Sequence, residues 1–185
     1  MEQTYTYELK IPKERIAVLI GKKGETKKKI EEDTGVSMEV DSKEGDVFLY
    51  GDDAICLFNS REVVKAIGRG FNPETAFHLL KPDYMFESLR LNDYATSKTG
   101  EIRLRGRVIG KEGKARQTLE ELTETSITVY GKTISFIGPV ENVVIAKKAM
   151  ESLLAGSKHA TVYKWLEQYH RKKRQAQFAE LRREE

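Results

Sequence analysis

The chain has 185 residues, a mass of 21.1 kDa and a formal net charge of +3, with 33% charged and 39% hydrophobic residues. This balance is typical of a globular protein with an ionised surface and excludes fibrous proteins, and no segment approaches the ~18 consecutive apolar residues that a membrane-spanning helix requires. The single cysteine, Cys56, excludes an internal disulfide and a multi-thiolate zinc site, and the first ten residues lack the features of a signal peptide. We therefore expect a cytoplasmic protein without a metal, a cofactor or a membrane partner.

The first part of the chain predicts six elements in the order strand, helix, helix, strand, strand, helix. Apolar residues alternate in the first segment, and Pro12 closes it because proline has no N–H with which to continue a strand ladder. The next segment has its apolar residues at helical spacing and ends at Gly21, and Asp52 or Asp53 is expected to cap the last helix. The predicted ranges are 5–11, 36–40 and 47–50 for strands and 14–20, 25–33 and 52–67 for helices.

The second part repeats this order after a short helix that starts near Pro73 and stops at Pro82. From His159 to about residue 183 the pattern is again helical, and we expect Tyr163 and Trp165 to dock this last helix onto the body of the protein. The predicted ranges are 85–91, 126–130 and 133–137 for strands and 99–109, 113–123 and 141–154 for helices.

The repeat is visible in the residues themselves. Shifted by 89 residues, the segment 17–40 aligns without a gap with 106–129, and nine of the 24 positions are identical. Two related modules are the natural interpretation. We divide the chain into a first module (1–70), a connector (71–83), a second module (84–157) and a C-terminal tail (158–185).

Each module carries a Gly-x-x-Gly turn between its first two helices. We call these the first loop (residues 21–24, Gly-Lys-Lys-Gly) and the second loop (residues 110–113, Gly-Lys-Glu-Gly). Glycine lets the main chain approach a sugar-phosphate backbone closely, and the helix that follows presents unpaired N–H groups to an anion. Because the turn occurs twice in the same context, we predict a nucleic-acid groove beside each loop, floored by apolar residues such as Ile30 and Val40 or Leu119 and Val129.

The candidate contact residues fall into two sets. In the first module they are Ile20, Gly21, Lys22, Lys23, Gly24 and Lys27. In the second module they are Arg103, Arg107, Ile109, Gly110, Lys111, Glu112, Gly113, Lys114 and Arg116. We expect Glu112 to face solvent, because a carboxylate directed into the groove would repel phosphate. A solvated helix face remains an equal interpretation for the arginines of this set.

The positive charge is concentrated at the C-terminus. The tail holds eight Lys or Arg against four Glu, which makes it +4 and leaves −1 for the other 157 residues. Its residues 171–174 are candidates for phosphate contacts, with a solvated helix end as the alternative.

The two loops, each placed between helices and followed by strand, strand and helix, resemble the KH domain family, whose GxxG loop holds single-stranded nucleic acid. The resemblance implies an α+β fold of two tandem eukaryotic-type (type I) KH domains, each with a three-stranded sheet packed on three helices, plus the C-terminal helix. In the KH fold both loops would grip the sugar-phosphate backbone.

Further segments sharpen this resemblance. The blocks FESLRLNDY (86–94), GRVIGKEGKARQTLEELTETSI (106–127) and GPVENVVIAKKAMESLLAGS (138–157) are similar to archaeal members of the Partner-of-Nob-One family of KH proteins. Membership implies a small-subunit ribosome biogenesis factor that binds the 3′ end of pre-16S rRNA beside the endonuclease that trims it. It leaves open whether the first module binds RNA, protein or both. We expect the chain to be a monomer.

Two alternatives remain beside this interpretation. One is a protein-interaction scaffold that links rRNA processing to a translation initiation factor, and the other is a KH subunit of an RNA-degrading complex. An enzyme finds little support, because neither loop completes a Walker A sequence and no nucleophile is paired with a base. The three histidines have no metal-ligand spacing.

Overall fold

The computed structural model of the chain describes residues 5–184 and has an α+β fold, as predicted. The elements of the first module are β1 (Tyr5–Lys10), α1 (Lys13–Ile20), α2 (Glu25–Thr34), β2 (Ser37–Val40), β3 (Asp46–Gly51) and α3 (Ala54–Gly68). The connector forms α4 (Pro73–Ala76) and a 3-10 turn (Phe77–Leu80). The second module contains β4 (Tyr84–Arg90), α5 (Lys98–Ile109), α6 (Lys114–Thr123), β5 (Ser126–Tyr130), β6 (Thr133–Pro139) and α7 (Val140–Leu154), and the tail forms α8 (His159–Glu184).

Each module has one antiparallel sheet in which the last strand lies in the middle. The strand orders are β1-β3-β2 and β4-β6-β5. Tyr5 pairs with Gly51 in the first sheet and Met85 pairs with Gly138 in the second, so the repeat extends to the pairing register. The two sheets therefore present equivalent edges, and β2 and β5 are the edge strands next to the loops in the repeat.

Local chemistry fixes several helix ends. Asp53 caps α3, because its Oδ1 accepts hydrogen bonds from the backbone N–H groups of Ile55 at 2.6 Å and Cys56 at 3.2 Å. Ser97 caps α5 through a 3.1 Å bond from the N–H of Gly100, a signal that the sequence analysis missed. The α5 helix consequently begins one residue earlier than predicted.

The connector belongs to the core of the first module. Phe71, Ala76 and Leu79 are buried in the same apolar cluster as the core residues of α1 and α3. Arg15 of α1 holds the start of the connector, because its Nε donates to the Ile67 carbonyl at 2.8 Å and its Nη2 donates to the Phe71 carbonyl at 2.6 Å. Residues 71–83 are thus packed structure and not a loose tether.

The same cluster joins the two modules. Phe86 and Ile137, a cross-strand pair of the second sheet, lie in the first module's core, and the rings of Phe71 and Phe86 meet edge to face at 6.4 Å. Ile134 and Phe136, which point to the opposite face of β6, lie in the second module's own core. The second sheet is therefore covered on both faces, and residues 133–138 of β6 are all buried.

The tail helix α8 docks onto the second module. Val162 and Leu166 are buried in its core, and Tyr163 and Trp165 pack beside them, so the predicted docking by these aromatic residues is confirmed. Within residues 5–184 no helix combines the length and the apolarity needed to cross a membrane.

Candidate nucleic-acid interface

The two Gly-x-x-Gly loops have the same backbone conformation. The first glycines, Gly21 and Gly110, have φ/ψ of 76°/175° and 72°/−179°. The third residues, Lys23 and Glu112, lie in the left-handed region at 54°/24° and 55°/26°. A left-handed conformation costs a non-glycine residue about 1–2 kcal/mol, so its occurrence at both equivalent positions indicates a constraint imposed by the loop.

The two glycines of each loop serve different purposes. A Cβ on Gly21 would lie 2.8 Å from the Thr26 backbone nitrogen, and a Cβ on Gly110 would lie 2.6 Å from the Ala115 Cβ, so the first glycine permits the following helix to pack. The second glycines, Gly24 and Gly113, also have positive φ, but a Cβ there would meet nothing within 4 Å. The second glycine thus faces open space, where an external backbone can approach.

The helix that follows each loop begins without a side-chain cap. Gly24 precedes α2 and Gly113 precedes α6, and no side chain accepts a hydrogen bond from the first turn of either helix. The first N–H of each helix, that of Glu25 or Lys114, donates to the loop carbonyl of Lys22 or Lys111. The positive end of each helix dipole still lies beside the loop, where it favours an anion. Lys22, Lys23 and Lys111 are exposed beside these helix ends.

Glu112 is exposed, as expected. Its carboxylate lies 4.0 Å from the Lys114 ammonium, and both side chains are well solvated. An ion pair this exposed contributes little to stability, so Lys114 remains free to turn toward a phosphate.

The apolar floor differs from the prediction. Ile30 and Leu119 are each only 1% exposed and belong to the cores, so they cannot offer surface to a base. The other apolar residues predicted for the floor are half-buried beside the loops: Ile20 and Val40 in the first module, and Ile109 and Val129 in the second.

A glutamate shared by both repeats joins the second helix of each module to its edge strand, α2 to β2 and α6 to β5. The Glu31 carboxylate accepts the N–H of Met38 at 2.8 Å, and the Glu120 carboxylate accepts the N–H of Ile127 at 2.7 Å. Glu31 and Glu120 are identical in the aligned repeat, but sequence reasoning assigned them no role. These hydrogen bonds fix the distance between the helix and the edge strand, which form the two walls of each groove.

Arg116 adds a second link in the second module. Its Nη1 donates to Glu120 at 3.1 Å and to the Ile127 carbonyl at 2.9 Å. The equivalent Lys27 lies 3.8 Å from Glu31. Arg116 therefore stands at the wall of the groove with part of its guanidinium already engaged.

The arginines of α5 lie in different environments. Arg103 is exposed, whereas Arg107 is half-buried and donates from Nε to the Leu153 carbonyl at 3.0 Å and from Nη2 to the Ser157 carbonyl. Arg107 thus fastens the end of α7. Arg105 donates to the Gly131 carbonyl at 2.9 Å, at the turn between β5 and β6.

The first module contacts the second module at the turn between β5 and β6, beside the second groove. The Tyr130 hydroxyl donates to Glu14, and Gly70 approaches so closely that a Cβ on it would lie 2.9 Å from the Tyr130 Cβ. Burial, reinforced by the hydrogen bond to Glu14, raises the pKa of Tyr130 above its usual value. These contacts leave the second loop itself exposed.

Comparison with known proteins agrees with this architecture. Residues 6–69 match the model of the KH domain, and residues 85–171 match that of the eukaryotic-type KH domain, KH-domain type I, of the PNO1 second domain. A KH domain-containing protein of Methanocaldococcus jannaschii is 48% identical over 174 residues, covering 92% of this chain and 76% of that protein. The chain belongs to the KH-domain proteins of the PNO1 family. The predicted resemblance is confirmed.

Two solved structures are similar over almost the whole chain. Dim2p from Pyrococcus horikoshii has a TM-score of 0.83 and 44% identity, covering 89% of this chain and 99% of that one. The aDim2p chain in a complex of a/eIF2alpha, aDim2p and rRNA from the same organism has a TM-score of 0.86 and 43% identity, covering 91% and 96%.

The eukaryotic relatives are longer. The pre-rRNA-processing protein pno1 of Aspergillus oryzae is 33% identical over 114 residues, which is 60% of this chain and 44% of that protein. The chain thus spans less than half of the fungal relative, and its homologues include RNA-binding proteins of pre-rRNA processing.

Proposed function

We propose that the chain is a non-enzymatic, cytoplasmic RNA-binding factor of small-subunit ribosome biogenesis that holds the 3′ end of pre-16S rRNA as a single strand. The second module carries the main site, between the second loop, α6 and β5. The first module carries a related site at the first loop, and the boundaries 1–70, 71–83, 84–157 and 158–185 define the working units.

The observation that carries this proposal is the repeated loop backbone with an open side. At both loops a left-handed residue and a glycine that faces open space precede an uncapped helix N-terminus. This open side, beside the positive end of a helix dipole, is what close approach of a sugar-phosphate backbone needs.

The proposed contacts follow from exposure. Lys111 and Lys114 supply charge at the phosphates, Gly113 lets the backbone approach, and Ile109 and Val129 offer apolar surface to unstacked bases. Arg103 extends the basic rim. We leave Arg107 out of the contact set, because its guanidinium is held by the carbonyls that end α7.

The partners follow the same reasoning from relatives. A similar protein was crystallised with rRNA and a/eIF2alpha, which supports a translation initiation factor subunit as a protein partner. The rRNA-processing endonuclease is proposed as the second protein partner, since a chain that only presents an RNA end needs an enzyme to cut it. We propose that the chain itself acts as a monomer.

The test is titration of a fluorescein-labelled single-stranded RNA that carries the 3′-terminal sequence of 16S rRNA. The variant pair Lys111→Asp and Glu112→Asp places carboxylates at the phosphates and keeps the left-handed position occupied by a residue that tolerates it. We expect binding to weaken by at least about tenfold, because a phosphate contact becomes a repulsion.

The comparison variant places the same two aspartates in the first loop, Lys22→Asp with Lys23→Asp, and it changes the net charge by −4 where the second-loop pair changes it by −2. A smaller loss there assigns the main site to the second module. Unchanged affinity of the second-loop pair, with an unaltered circular dichroism spectrum, would remove the second loop as the RNA site.

A further inference from the structure

A groove on the first module lies away from both loops, between β1 and α3. It consists of two adjoining clefts of about 660 Å³ and about 290 Å³, which share Tyr7 and Arg61 in their walls. We call it the β1–α3 groove. Neither cleft is lined by a residue of the first or second loop.

One wall of the β1–α3 groove is an open sheet edge. Among the described strands β1 pairs with β3 alone, so the opposite edge of β1 has no strand beside it. In an antiparallel strand alternate residues direct their N–H and C=O groups away from the partner, and an open edge therefore offers regularly spaced donors and acceptors. No proline interrupts β1.

The groove also exposes apolar side chains. Tyr5 and Tyr7 on β1 are 40% and 38% exposed, and Phe58 on α3 is 53% exposed. All three line the smaller cleft, so they form one apolar surface and not single scattered residues.

The larger cleft is basic. Lys10, Lys13, Arg61, Lys65 and Arg69 line it, and Glu44 is the one acidic residue among its lining residues. Glu62 and Asp46 neutralise part of this charge through Arg61 at 2.6 Å and Lys10 at 2.9 Å. Lys13 and Arg69 are exposed at the mouth of the cleft.

From this combination we infer that the β1–α3 groove binds an acidic, extended peptide segment of a partner protein. The peptide adds as a further strand to the open edge of β1. Its alternate side chains then enter the groove, where apolar ones meet Tyr5 and Phe58 and carboxylates meet Lys13 and Arg69.

A peptide fits the groove better than RNA or a second copy. The Arg61 guanidinium lies 5.0 Å from the Tyr7 ring centre and 4.6 Å from that of Phe58, so one face of each ring is already covered and is closed to stacking on a base. A second copy would bring an equally basic cleft against the first, which is unfavourable.

The second module has different residues at the equivalent positions of β4 and α7. Glu87 occupies the position equivalent to Tyr7, and its carboxylate forms a 3.0 Å ion pair with Lys147 of α7. A pair of charges thus stands where the first module has an arginine stacked on aromatic rings.

The experiment selects ten-residue peptides from a random display library on the immobilised full chain and measures one selected peptide by fluorescence anisotropy. We expect acidic sequences with alternating apolar residues. The variant Lys13→Glu with Arg69→Glu should weaken binding by at least about tenfold, since two favourable charges become unfavourable. Lys158→Glu with Lys164→Glu makes the same change in net charge at the start of the C-terminal tail and should leave the affinity within about twofold.

Backbone N-methylation of the peptide tests the strand addition itself. Methyl groups on one alternate set of residues should abolish binding, and on the other set they should be tolerated, because only one set faces β1. Equal effects of both sets, selection of no acidic sequences, RNA crosslinks to β1, or a β1-mediated dimer in solution would each overturn the proposal.

Discussion

The first and second loops share one backbone and differ in their charges. Both have a left-handed third residue and a second glycine that faces open space. The first loop places two lysines at its tip, whereas the second places Lys111 and Glu112 there. The helix-to-strand links differ in the opposite sense. Arg116 of α6 donates to the Ile127 carbonyl of β5 and to Glu120 of its own helix, whereas Lys27 makes one long ion pair with Glu31.

This difference separates two properties of a binding groove. Charge at the loop tip sets the strength of attraction to any phosphate backbone, and rigid walls set the geometry in which bases are received. The first loop has more charge, and the second has more rigid walls. We therefore expect the first site to bind RNA with less selectivity and the second to hold a defined segment.

The largest effect on stability should come from the two glycines of the second loop. The first allows α6 to pack, and the second leaves space for an external backbone. Gly110→Ala should lower the free energy of unfolding by about 3 kcal/mol, because a left-handed alanine is strained and its Cβ meets Ala115. Gly113→Ala should cost about 1 kcal/mol, since only the strain applies. Urea denaturation followed by circular dichroism measures both, and equal losses would show that the two glycines do the same work.

The second effect concerns the walls. Arg116→Ala removes two hydrogen bonds to the wall of the second groove and should cost about 1–2 kcal/mol of unfolding free energy. Lys27→Ala should cost less than about 0.5 kcal/mol, because its ion pair is long and partly exposed. The comparison between the grooves fails if the two variants lose the same stability.

Exchanging the charges at the loop tips should have a smaller effect. Glu112→Lys copies the first loop, where Lys23 has the same left-handed conformation, and should strengthen RNA binding by about three- to tenfold with a steeper dependence on salt. Lys23→Glu copies the second loop and should weaken binding at the first site. Affinity measured at several salt concentrations gives both values, and a salt dependence that does not change would contradict the assignment.

The smallest effect on stability concerns the ion pair between α8 and α7, which belongs to the second module. A hydrogen bond from Lys173 at 2.5 Å holds the pKa of Glu141 below its usual 4.5. A lowered carboxyl pKa stabilises the folded chain above the usual value, and this stabilisation is lost as the pH falls through the lowered pKa. The urea midpoint of Glu141→Gln should therefore lie slightly below that of the natural chain at about pH 7, and the difference should vanish once the pH has fallen below the lowered pKa. A difference that persists in acid would exclude this ion pair as its source.

Much of the fold could be read from local patterns. Alternation, helical spacing and glycine positions place every main strand and helix within one or two residues of its observed ends, and the repeat identifies both loops. Asp53 illustrates why: its cap uses backbone N–H groups two and three residues away, so the signal is entirely local.

The packing between the modules could not be read in the same way. The pairs Phe71 with Phe86 and Glu14 with Tyr130 join residues far apart in the chain, and nothing in a single sequence relates them. Ile30 and Leu119 were expected at the groove floor, but periodicity alone does not tell a core face from a groove face. Arg107 shows the same limit, since its carbonyl partners lie 46 and 50 residues away.

The most direct measurement of the central claim is the change in backbone amide chemical shifts when the single-stranded 3′-terminal rRNA segment is added to the labelled full chain. The account predicts that the largest changes fall on Gly113, Lys114 and Ala115 at the start of α6, with further changes along β5. Changes confined to residues 171–174 of α8, or to the β1–α3 groove, would contradict it.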